Sequence, residues 1–311
     1  MVDLSIIIPS YNTKDLLLKC LESLQQCNKE IIVVDNGSED GTVEEMQNAK
    51  CKMQNVNSKF KIIENKQNFG FAKALNQCLK EASGKYILLL NSDTIVEKGA
   101  IEKMVGYLKI NPQVGVVGCQ LRNSDGSIQF SGGYLPNLIN LTFWALFLDD
   151  LPLIKQVFPA YHVTDNFFYT KKKHSGWVTG AFFMTKKEVV GKVGLFDEKM
   201  FMYVEEVDWC QRVKNSGCKV IFNPAGFITH YKGASAKKNE AGLPAEALAK
   251  AGVIEEFQGL KYFFKKHKAV WQYPILRMLL KIGALGRKLF FGIILQDKKM
   301  DQIYEKAFKL V

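Results

Sequence analysis

Short, uninterrupted apolar runs alternate with helical patterns over the first 120 residues of the chain. The runs predict buried strands at 4–9, 30–35, 60–63, 86–91 and 114–119. Between them, apolar residues at helical spacing predict helices over 14–26, from about residue 42, over 71–82 and over about 100–109. Strands that are apolar at every position are usually buried on both faces. The pattern therefore predicts an α/β fold with a mostly parallel central sheet flanked by helices.

The pattern changes twice in the second half of the chain. An apolar insertion extends from about residue 134 to 170, with a helix-compatible stretch at 135–148. It suits either a core helix or a lid over a lipid-like substrate, and its few charges favour the lid. Strand and helix signals resume at 177–184, 186–193 and 219–222. We predict a globular domain over 1–235, followed by a helical region over 236–311.

Polar clusters follow three of the predicted strands at the point where each strand ends. The clusters are residues 9–12, 35–38 and 91–93. Parallel strands bring their carboxyl ends to one edge of the sheet, where ligands bind in folds of this class. Turns after strands are polar in any protein, but that alone does not explain three clusters on one edge. The sequence therefore predicts a ligand site at this edge.

Two nucleotide-binding motifs are absent from the sequence. No G-x-G-x-x-G follows the first strand, which counts against a dinucleotide-binding fold, and no G-x-x-x-x-G-K-[ST] occurs. If the ligand carries a diphosphate, its charge then has to be balanced by a metal ion and by isolated basic groups.

The segment 196–212 combines four aromatic residues with five carboxylates and continues into a helical pattern. Apolar surroundings raise the proton affinity of a carboxylate, as a general base requires near neutral pH. A second interpretation places Glu205, Glu206 and Asp208 in the first turn of a helix, where acids favour the helix dipole. In that case Asp208 pairs with Arg212 four residues later. The segment alone leaves both interpretations open.

Composition and charge describe a globular protein with a basic tail. Apolar residues make up 47% of the 311 residues and charged residues 23%, and the net charge is +11. Between Lys261 and Lys299 there are ten Lys and Arg against the single acid Asp297, so this stretch contributes +9 and the remainder +2. The tail is rich in Leu, Ile and Phe, and its aromatic residues are only sparsely interleaved with the basic ones. We therefore expect an anionic membrane surface rather than nucleic acid as its partner.

The same tail predicts a helix that lies on a membrane without crossing it. No apolar run approaches the ~18 residues needed to span a bilayer. Arg277, Lys281 and Lys288 share one side of a helical wheel, so their charges are able to reach lipid headgroups. The alternative is a helix packed on the domain with a basic outer face.

The cysteines indicate a reducing compartment. The seven cysteines are scattered and never spaced as C-x-x-C, which argues against a zinc site or a disulfide framework. A strand pattern begins within the first residues, where a secretory signal would lie. We expect a cytoplasmic protein attached peripherally to the inner face of the cell membrane.

Six segments, taken in order, resemble the family 2 glycosyltransferases of the GT-A fold, especially their bacterial rhamnosyltransferase-like branch. The segments are SIIIPSYN (5–12), EIIVVDNGSEDGT (30–42), NFGFAKALN (68–76), YILLLNSDT (86–94), VTGAFFMTKKEVVGKVGLFDEKMFMYVEEVDWCQRV (178–213) and ITHYKGAS (228–235). The resemblance implies that residues 1–235 form a GT-A catalytic domain. It also implies transfer of a sugar from a dTDP- or UDP-linked donor to an acceptor hydroxyl, with inversion at the anomeric carbon.

The resemblance also implies roles for individual residues. Glu206 corresponds to the general base, with Asp208 and Glu205 as alternatives. Asp93 and His230 correspond to ligands of Mg²⁺ or Mn²⁺, although a lone histidine is also commonly structural. The implied nucleotide-sugar-binding residues are Pro9, Ser10, Tyr11, Asn12, Asp35, Asn68, Gly70, Lys73, Asn91, Ser92, Asp93, Trp177, Gly180 and Ala181. Asn91 stands where the first acid of the family's D-x-D motif is expected.

The main hypothesis is an enzyme that adds one sugar, with L-rhamnose as the expected sugar, to a polyprenyl-linked saccharide in cell-surface polysaccharide biosynthesis. One alternative is a nucleotidyltransferase, which normally shows a Gly/Arg-rich triphosphate loop near its start, and this chain has none. The other is a non-catalytic, membrane-associated scaffold that has kept the fold.

Overall fold

The computed structural model describes residues 3–24, 29–53, 59–231 and 245–311. Within these residues the chain forms a ten-stranded sheet and a two-stranded sheet. The strands are β1 (Leu4–Ser10), β2 (Glu30–Asp35), β3 (Lys59–Glu64), β4 (Tyr86–Leu90), β5 (Thr94–Val96), β6 (Val114–Arg122), β7 (Ile128–Gln129), β8 (Gly132–Gly133), β9 (Lys173–His174), β10 (Trp177–Val178), β11 (Phe182–Lys186) and β12 (Lys219–His230).

Helices cover both faces of the larger sheet and form the C-terminal region. They are α1 (Lys14–Ser23), α2 (Thr42–Met53), α3 (Phe71–Glu81), α4 (Ala100–Ile110), α5 (Leu138–Ala145), α6 (Pro152–Val157), α7 (Lys187–Val193), α8 (Glu205–Asn215), α9 (Ala245–His267), α10 (Gln272–Leu289) and α11 (Lys298–Leu310). A 3-10 turn at Asn166–Thr170 and a π-helical turn at Phe290–Ile294 complete the described structure. The predicted boundary between 235 and 236 lies outside the described residues.

Six strands of the large sheet run in one direction. The strand order is β3-β2-β1-β4-β11-β6-β12-β5. Neighbours among β1 to β4 are parallel, as are β6 and β12, whereas β11 is antiparallel to both β4 and β6. The carboxyl ends of β1, β2, β4, β6 and β12 therefore share one edge, which we call the carboxyl edge. The prediction of a mostly parallel sheet flanked by helices is confirmed.

The apolar strands bury both of their faces, as the uninterrupted pattern predicted. Ile7 of β1 belongs to a hydrophobic cluster that includes α3, α8 and the C-terminal helices. Its neighbours Ile6 and Ile8 belong to a second cluster with α1 and α4. Side chains alternate across a strand, so successive residues in the middle of a strand covered on both faces are apolar.

Strand β12 is longer than the predicted strand at 219–222 and ends at His230. The register between β12 and β6 shifts between Asn223 and Phe227, where Pro224 and Gly226 interrupt the strand pattern. A bulge of this kind lets one strand continue across an irregular segment. As a result His230 pairs with Thr94 of β5 and lies at the carboxyl edge.

The C-terminal helices pack on the insertion and on one another. The Arg287 side chain of α10 is buried, stacks on the ring of Trp144 and donates a hydrogen bond to its carbonyl at 2.9 Å. The three basic residues expected on one helix face all meet groups of α11 or the chain's last residue. These contacts are Arg277 with the Val311 carbonyl, Lys281 with the Phe308 ring and Lys288 with Glu305. No helix in the described part of the chain is long and apolar enough to cross a membrane.

Candidate functional site

The first polar group at the carboxyl edge is Asp35, the last residue of β2. One carboxylate oxygen, Oδ2, accepts hydrogen bonds from the amides of Gly37 at 3.1 Å and Ser38 at 2.8 Å. The other oxygen, Oδ1, is buried and has no hydrogen-bond partner. Buried polar atoms are rarely left without a partner, so this oxygen is an acceptor available to a ligand.

Asn36, which belongs to the predicted cluster 35–38 but was given no role of its own, joins the Asp35 turn to the loop before α3. Its Nδ2 donates to Asn68 Oδ1 at 2.8 Å, and its Oδ1 accepts from the Phe69 amide at 3.1 Å. Asn68 Oδ1 also accepts from the Gly70 amide at 2.9 Å. The position directly after a strand-ending Asp was the available signal for Asn36.

Gly70 brings the same loop against the acidic segment. Its φ is +88°, and a Cβ placed there would lie 2.7 Å from the Phe201 ring. The Phe71 amide donates to the Phe201 carbonyl at 2.8 Å. Lys73 lies in the first turn of α3, with its Nζ 4.0 Å from the centroid of the Phe69 ring. The predicted nucleotide loop and the predicted catalytic segment therefore touch.

Several predicted ligand residues join loops to one another at the carboxyl edge. Thr13 Oγ1 bonds Ser10 Oγ and Ser92 Oγ, each at 2.9 Å. The Asn12 amide donates to Ser38 Oγ at 2.8 Å, with Asn12 in the left-handed region at φ 52°. Two further predicted residues, Pro9 and Tyr11, are half-buried at the end of β1.

Asp93, Asn91 and His230 meet where β4 and β12 end. His230 Nε2 lies 3.2 Å from Asp93 Oδ1 and 3.4 Å from Asn91 Nδ2. The other ring nitrogen, Nδ1, lies 2.5 Å from Gln129 Oε1 and therefore donates to it. In the neutral ring Nε2 then keeps a lone pair beside Asp93, which is the arrangement of a metal-binding histidine held by an outer partner. Sequence reasoning missed Gln129, and no motif marks it.

These residues fit a divalent metal ion as an incomplete set of ligands. No group of three or more His, Cys, Asp and Glu residues able to hold a metal occurs in the described ranges. Asn91 Oδ1, however, is buried and has no partner, so it adds an amide oxygen to one carboxylate and one imidazole. Mg²⁺ binds through one or two carboxylates together with substrate phosphates. The donor set therefore suits Mg²⁺ or Mn²⁺ with a diphosphate supplying further oxygens.

Glu205, which is buried, and Glu206, which is half-buried, form a carboxyl pair at the first turn of α8. Both side chains have a buried Oε2 without a hydrogen-bond partner. Burial raises the pKa of Glu205 well above its usual value, and the neighbouring Glu206 raises it further. Burial also raises the pKa of Glu206, while the helix backbone and the hydrogen bond from Glu205 act in the opposite direction. Two carboxyls in contact cannot both ionise readily, so the pair shares a proton.

The backbone that places this pair is strained. Tyr203 and Val204 have φ values of 66° and 69°, which is uncommon outside glycine and costly for the β-branched Val204. Such residues cost about 1–3 kcal/mol each and persist where the surrounding structure holds them. Here Val204 packs closely against Gly259 of α9. The contact leaves no room for a side chain on Gly259, whose Cβ would lie 2.7 Å from Val204 Cγ2. The strain lies directly before the two glutamates.

Asp208 has different surroundings from the two glutamates. It is fully buried and bonded to Arg212 at 2.9 Å, Lys266 at 2.8 Å and His267 at 2.7 Å. Although burial acts to raise the pKa of Asp208, hydrogen bonds from His267 and Lys266 lower it to about 2. The expected pair with Arg212 is present. The other contacts tie α8 to α9, and we propose no catalytic role for Asp208.

Trp177, Gly180 and Ala181 lie beside the insertion and the start of β11. Trp177 is buried and its Nε1 donates to the Tyr161 carbonyl at 3.0 Å. The Ala181 carbonyl accepts from the Asn91 amide at 3.3 Å, and Gly180 faces the Phe71 ring. This segment therefore connects the metal-binding candidates to the insertion.

A family model described as glycosyl transferase family 2 matches residues 5–210, which contain every predicted site residue except His230. The chain belongs to glycosyltransferase family 2. A relative in Mycobacterium tuberculosis (strain ATCC 25618 / H37Rv), N-acetylglucosaminyl-diphospho-decaprenol L-rhamnosyltransferase, is 25% identical over 260 residues, covering 79% of this chain and 78% of the relative. Poly-beta-1,6-N-acetyl-D-glucosamine synthase of Staphylococcus epidermidis is 33% identical over 117 residues, covering 37% and 27% of the two chains.

Solved structures show that this glycosyltransferase has the GT-A fold. Mannosyltransferase PcManGT from Pyrobaculum calidifontis, in complex with GDP-Man and Mn²⁺, superposes with a TM-score of 0.59 at 17% identity, covering 99% of this chain and 86% of that one. S. aureus TarS 1–349 in complex with UDP-GlcNAc gives a TM-score of 0.51 at 14% identity, covering 99% and 91%. The predicted family and fold are confirmed.

Proposed function

We propose that this glycosyltransferase moves a sugar from a dTDP- or UDP-linked donor to a hydroxyl of a polyprenyl-linked saccharide, with inversion at the anomeric carbon. The observation that carries the proposal is the Glu205–Glu206 carboxyl pair, set at a strained helix start that touches the nucleotide loop. L-Rhamnose is the proposed sugar, supported by the name of the mycobacterial relative and its match over 79% of the chain. The family match favours this function over a nucleotidyltransferase.

The carboxyl edge would bind the donor. Asp35 Oδ1 would accept a hydrogen bond from the nucleobase or ribose, since it is a buried acceptor without a partner. Gly70 keeps the backbone of the neighbouring loop free of a side chain, and Lys73 supplies a positive charge in the first turn of α3 for the diphosphate. Trp177, Gly180 and Ala181 would line the sugar pocket.

Asp93 and His230 would hold a divalent metal ion, Mg²⁺ or Mn²⁺, with Asn91 Oδ1 as a further oxygen. When bound, such an ion neutralises charge on the departing diphosphate. Gln129 would fix the His230 ring so that Nε2 faces Asp93.

Glu206 would act as the general base in a single displacement. It takes the proton from the acceptor hydroxyl, whose oxygen then forms a bond to the anomeric carbon of the sugar. The bond from that carbon to the diphosphate oxygen breaks, and its electron pair leaves with the diphosphate. Attack opposite the leaving group inverts the anomeric centre. A carboxylate with a raised pKa is suited to this task because its basicity lies closer to neutral pH.

A polyprenyl-linked acceptor would place the enzyme at the cytoplasmic face of the cell membrane. The chain exposes apolar side chains on α6 and α10 and in the π-helical turn, including Leu153, Val157, Ile293 and Ile294. The insertion and the end of α10 are neighbours, since the Phe147 and Phe290 rings lie 6.2 Å apart. These surfaces support peripheral attachment next to the insertion.

The decisive experiment measures nucleoside diphosphate release from a panel of nucleotide sugars, with Mg²⁺ or Mn²⁺ and a polyprenyl-linked acceptor present. One donor is expected to turn over, and Glu206→Gln is expected to lower that turnover by about 10²-fold or more, the contribution of a general base. Glu188→Gln, on an exposed side chain of α7, is the matched control and should retain activity. If turnover is unchanged in Glu206→Gln, the general base is assigned to Glu205 instead. An absence of turnover with every donor favours the scaffold alternative.

A further inference from the structure

Lys266, near the end of α9, bonds both ends of the acidic segment 197–208, which carries the proposed base. Its Nζ donates a hydrogen bond to Asp197 Oδ2 at 2.7 Å and lies 2.8 Å from Asp208 Oδ1. Asp197 opens the acidic segment, and Asp208 lies in the first turn of α8. Charge-assisted hydrogen bonds of this length are among the strong ones. One side chain therefore ties the start of the acidic segment to its end.

A second partner from α9 supports each of the two carboxylates. The Tyr262 hydroxyl donates to Asp197 Oδ2 at 3.0 Å, and His267 Nε2 lies 2.7 Å from Asp208 Oδ1. Burial acts to raise the pKa of Asp197, but hydrogen bonds from Lys266, the amide of residue 199 and Tyr262 lower it overall. Burial acts to lower the pKa of Lys266, but its bonds to the two carboxylates raise it. The bridge therefore stays charged near neutral pH.

Helix α9 follows the acidic segment along its length. Gly252, Gly259 and Lys266 are seven residues apart, close to two helical turns, so they share one face of α9. A Cβ on Gly252 would lie 3.3 Å from the Tyr203 hydroxyl, and one on Gly259 would lie 2.7 Å from Val204 Cγ2. The two glycines thus let α9 approach the strained turn, and Lys266 fastens the segment two turns further along.

The strained turn lies between the two points that Lys266 holds. Tyr203 and Val204 have φ values of 66° and 69°. The Asp208 amide donates to the Val204 carbonyl at 2.8 Å, and the Phe201 carbonyl accepts from the Phe71 amide at 2.8 Å. Strain of this kind persists only where the surrounding structure holds it. Release of either end would let the turn relax and would move the two glutamates that follow it.

We propose that Lys266 is a positioning residue for Glu206: by bonding Asp197 and Asp208 together, it holds the strained turn and keeps the base in place. This role needs no contact between Lys266 and the substrate and no proton transfer through it. The inference rests on the proposed function of Glu206. It also makes α9, expected from sequence to belong to an appendage, a support of the catalytic centre.

The test introduces Lys266→Met into the wild type and into Glu206→Gln, and it measures kcat for nucleoside diphosphate release in all four proteins. In the wild type we expect kcat to fall about tenfold or more, because small displacements of catalytic groups are costly. In Glu206→Gln the same substitution should cost less than about twofold, because residues that act through one another are not additive. A defect of the whole fold would lower both backgrounds by the same factor.

The substitution is designed to leave the fold intact. In Lys266→Met, Asp208 keeps Arg212 and His267, and Asp197 keeps Tyr262, so neither carboxylate loses every partner. Lys266→Arg keeps the charge and has several donors, so it should restore most of kcat. If Lys266→Met fails to fold, Asp197→Asn releases one end of the bridge and enters the same comparison.

The control is Lys265→Met, on an exposed neighbour in α9 whose Nζ lies 4.8 Å from the centroid of the Tyr273 ring. It removes the same charge and should match the wild type. An equal loss of kcat in both backgrounds, or no loss in either, would overturn the inference while Glu206 remains the base. Full activity of Glu206→Gln would reject the assignment of the base together with this inference. Failure of the wild type with every donor would reject the proposed function and, with it, the inference.

Discussion

Glu205, Glu206 and Asp208 lie within one turn of a helix, yet the structure gives them opposite electrostatic surroundings. Asp208 contacts three basic side chains, and its pKa is lowered to about 2. Glu205 and Glu206 contact each other, and their pKa values are raised. The sequence predicted the acidic helix start and the pair of Asp208 with Arg212. It did not separate the three acids, because Lys266 and His267 lie far away along the chain.

The raised pKa of Glu205 makes a prediction about stability. A carboxyl whose folded-state pKa is raised contributes stability that is full below its unfolded value and is lost as pH rises through the folded value. Glu205→Gln removes this pH-dependent loss while keeping a hydrogen-bond donor beside Glu206. We therefore expect the variant to have a higher Tm than the wild type at pH 8, by about 2 °C or more, and a smaller difference at pH 5.

Thermal unfolding followed by circular dichroism at the two pH values checks this expectation. Glu188→Gln provides the control, because its side chain is 75% exposed and should leave Tm unchanged at both pH values. A difference between Glu205→Gln and the wild type that is the same at pH 5 and pH 8 would show that Glu205 is not the protonated member of the pair.

At the scale of elements, local sequence predicted the strands of the sheet and the helices that flank it. It did not predict the end of β12 or the docking of α9, which complete the site. Apolar runs predicted β1, β2 and β4 because the central positions of strands buried on both faces are apolar. The final part of β12 was missed because Pro224 and Gly226 interrupt the strand pattern at a bulge. The helical pattern of α9 was predicted, but its docking depends on contacts with a strained turn that no local pattern reveals.

That docking leads to a prediction about Gly259. A Cβ there would lie 2.7 Å from Val204 Cγ2 and 2.8 Å from Val204 Cβ, so either α9 or the turn before Glu205 has to move. We expect Gly259→Ala to lower kcat by about tenfold or more, because small displacements of catalytic groups are costly. The free energy of unfolding should fall as well, by the overpacking cost of about 1–3 kcal/mol, so Tm should also be lower.

Gly191→Ala in α7 is the matched control, since a Cβ at that position meets nothing within 4 Å. Alanine also has the higher helix propensity, so this variant should be as stable as the wild type or slightly more stable. Steady-state kinetics and thermal unfolding measure both effects. Full activity of Gly259→Ala would mean that the contact between α9 and the turn does not position the base.

At the scale of the whole molecule, the basic tail is a set of packed helices with an apolar outer surface. Arg277, Lys281 and Lys288 contact α11 or the last residue of the chain. These side chains therefore help to pack the helices together, and they do not form a row that faces only outward. The exposed apolar residues of α10 and the π-helical turn lie on a different part of the same helices. They are Met278, Ile282, Leu285, Leu289, Ile293 and Ile294, at 41–70% exposure. Sequence patterning identified the amphipathic tail but not the direction in which it faces.

Membrane attachment through this surface is the last prediction. An isoleucine buried in an apolar environment contributes about 1.5–3 kcal/mol, so replacing Ile293 and Ile294 together by Asp should lower binding to vesicles containing anionic lipid by tenfold or more. The residues are 70% and 68% exposed, so folding should be little affected. Co-sedimentation with vesicles measures the effect, and Ile110→Asp, at an 80% exposed site on α4, is the control. Because residues 261–299 carry +9, added salt should also weaken wild-type binding. Equal binding by the double variant and the control would instead indicate that the enzyme reaches the proposed lipid-linked acceptor without inserting these side chains.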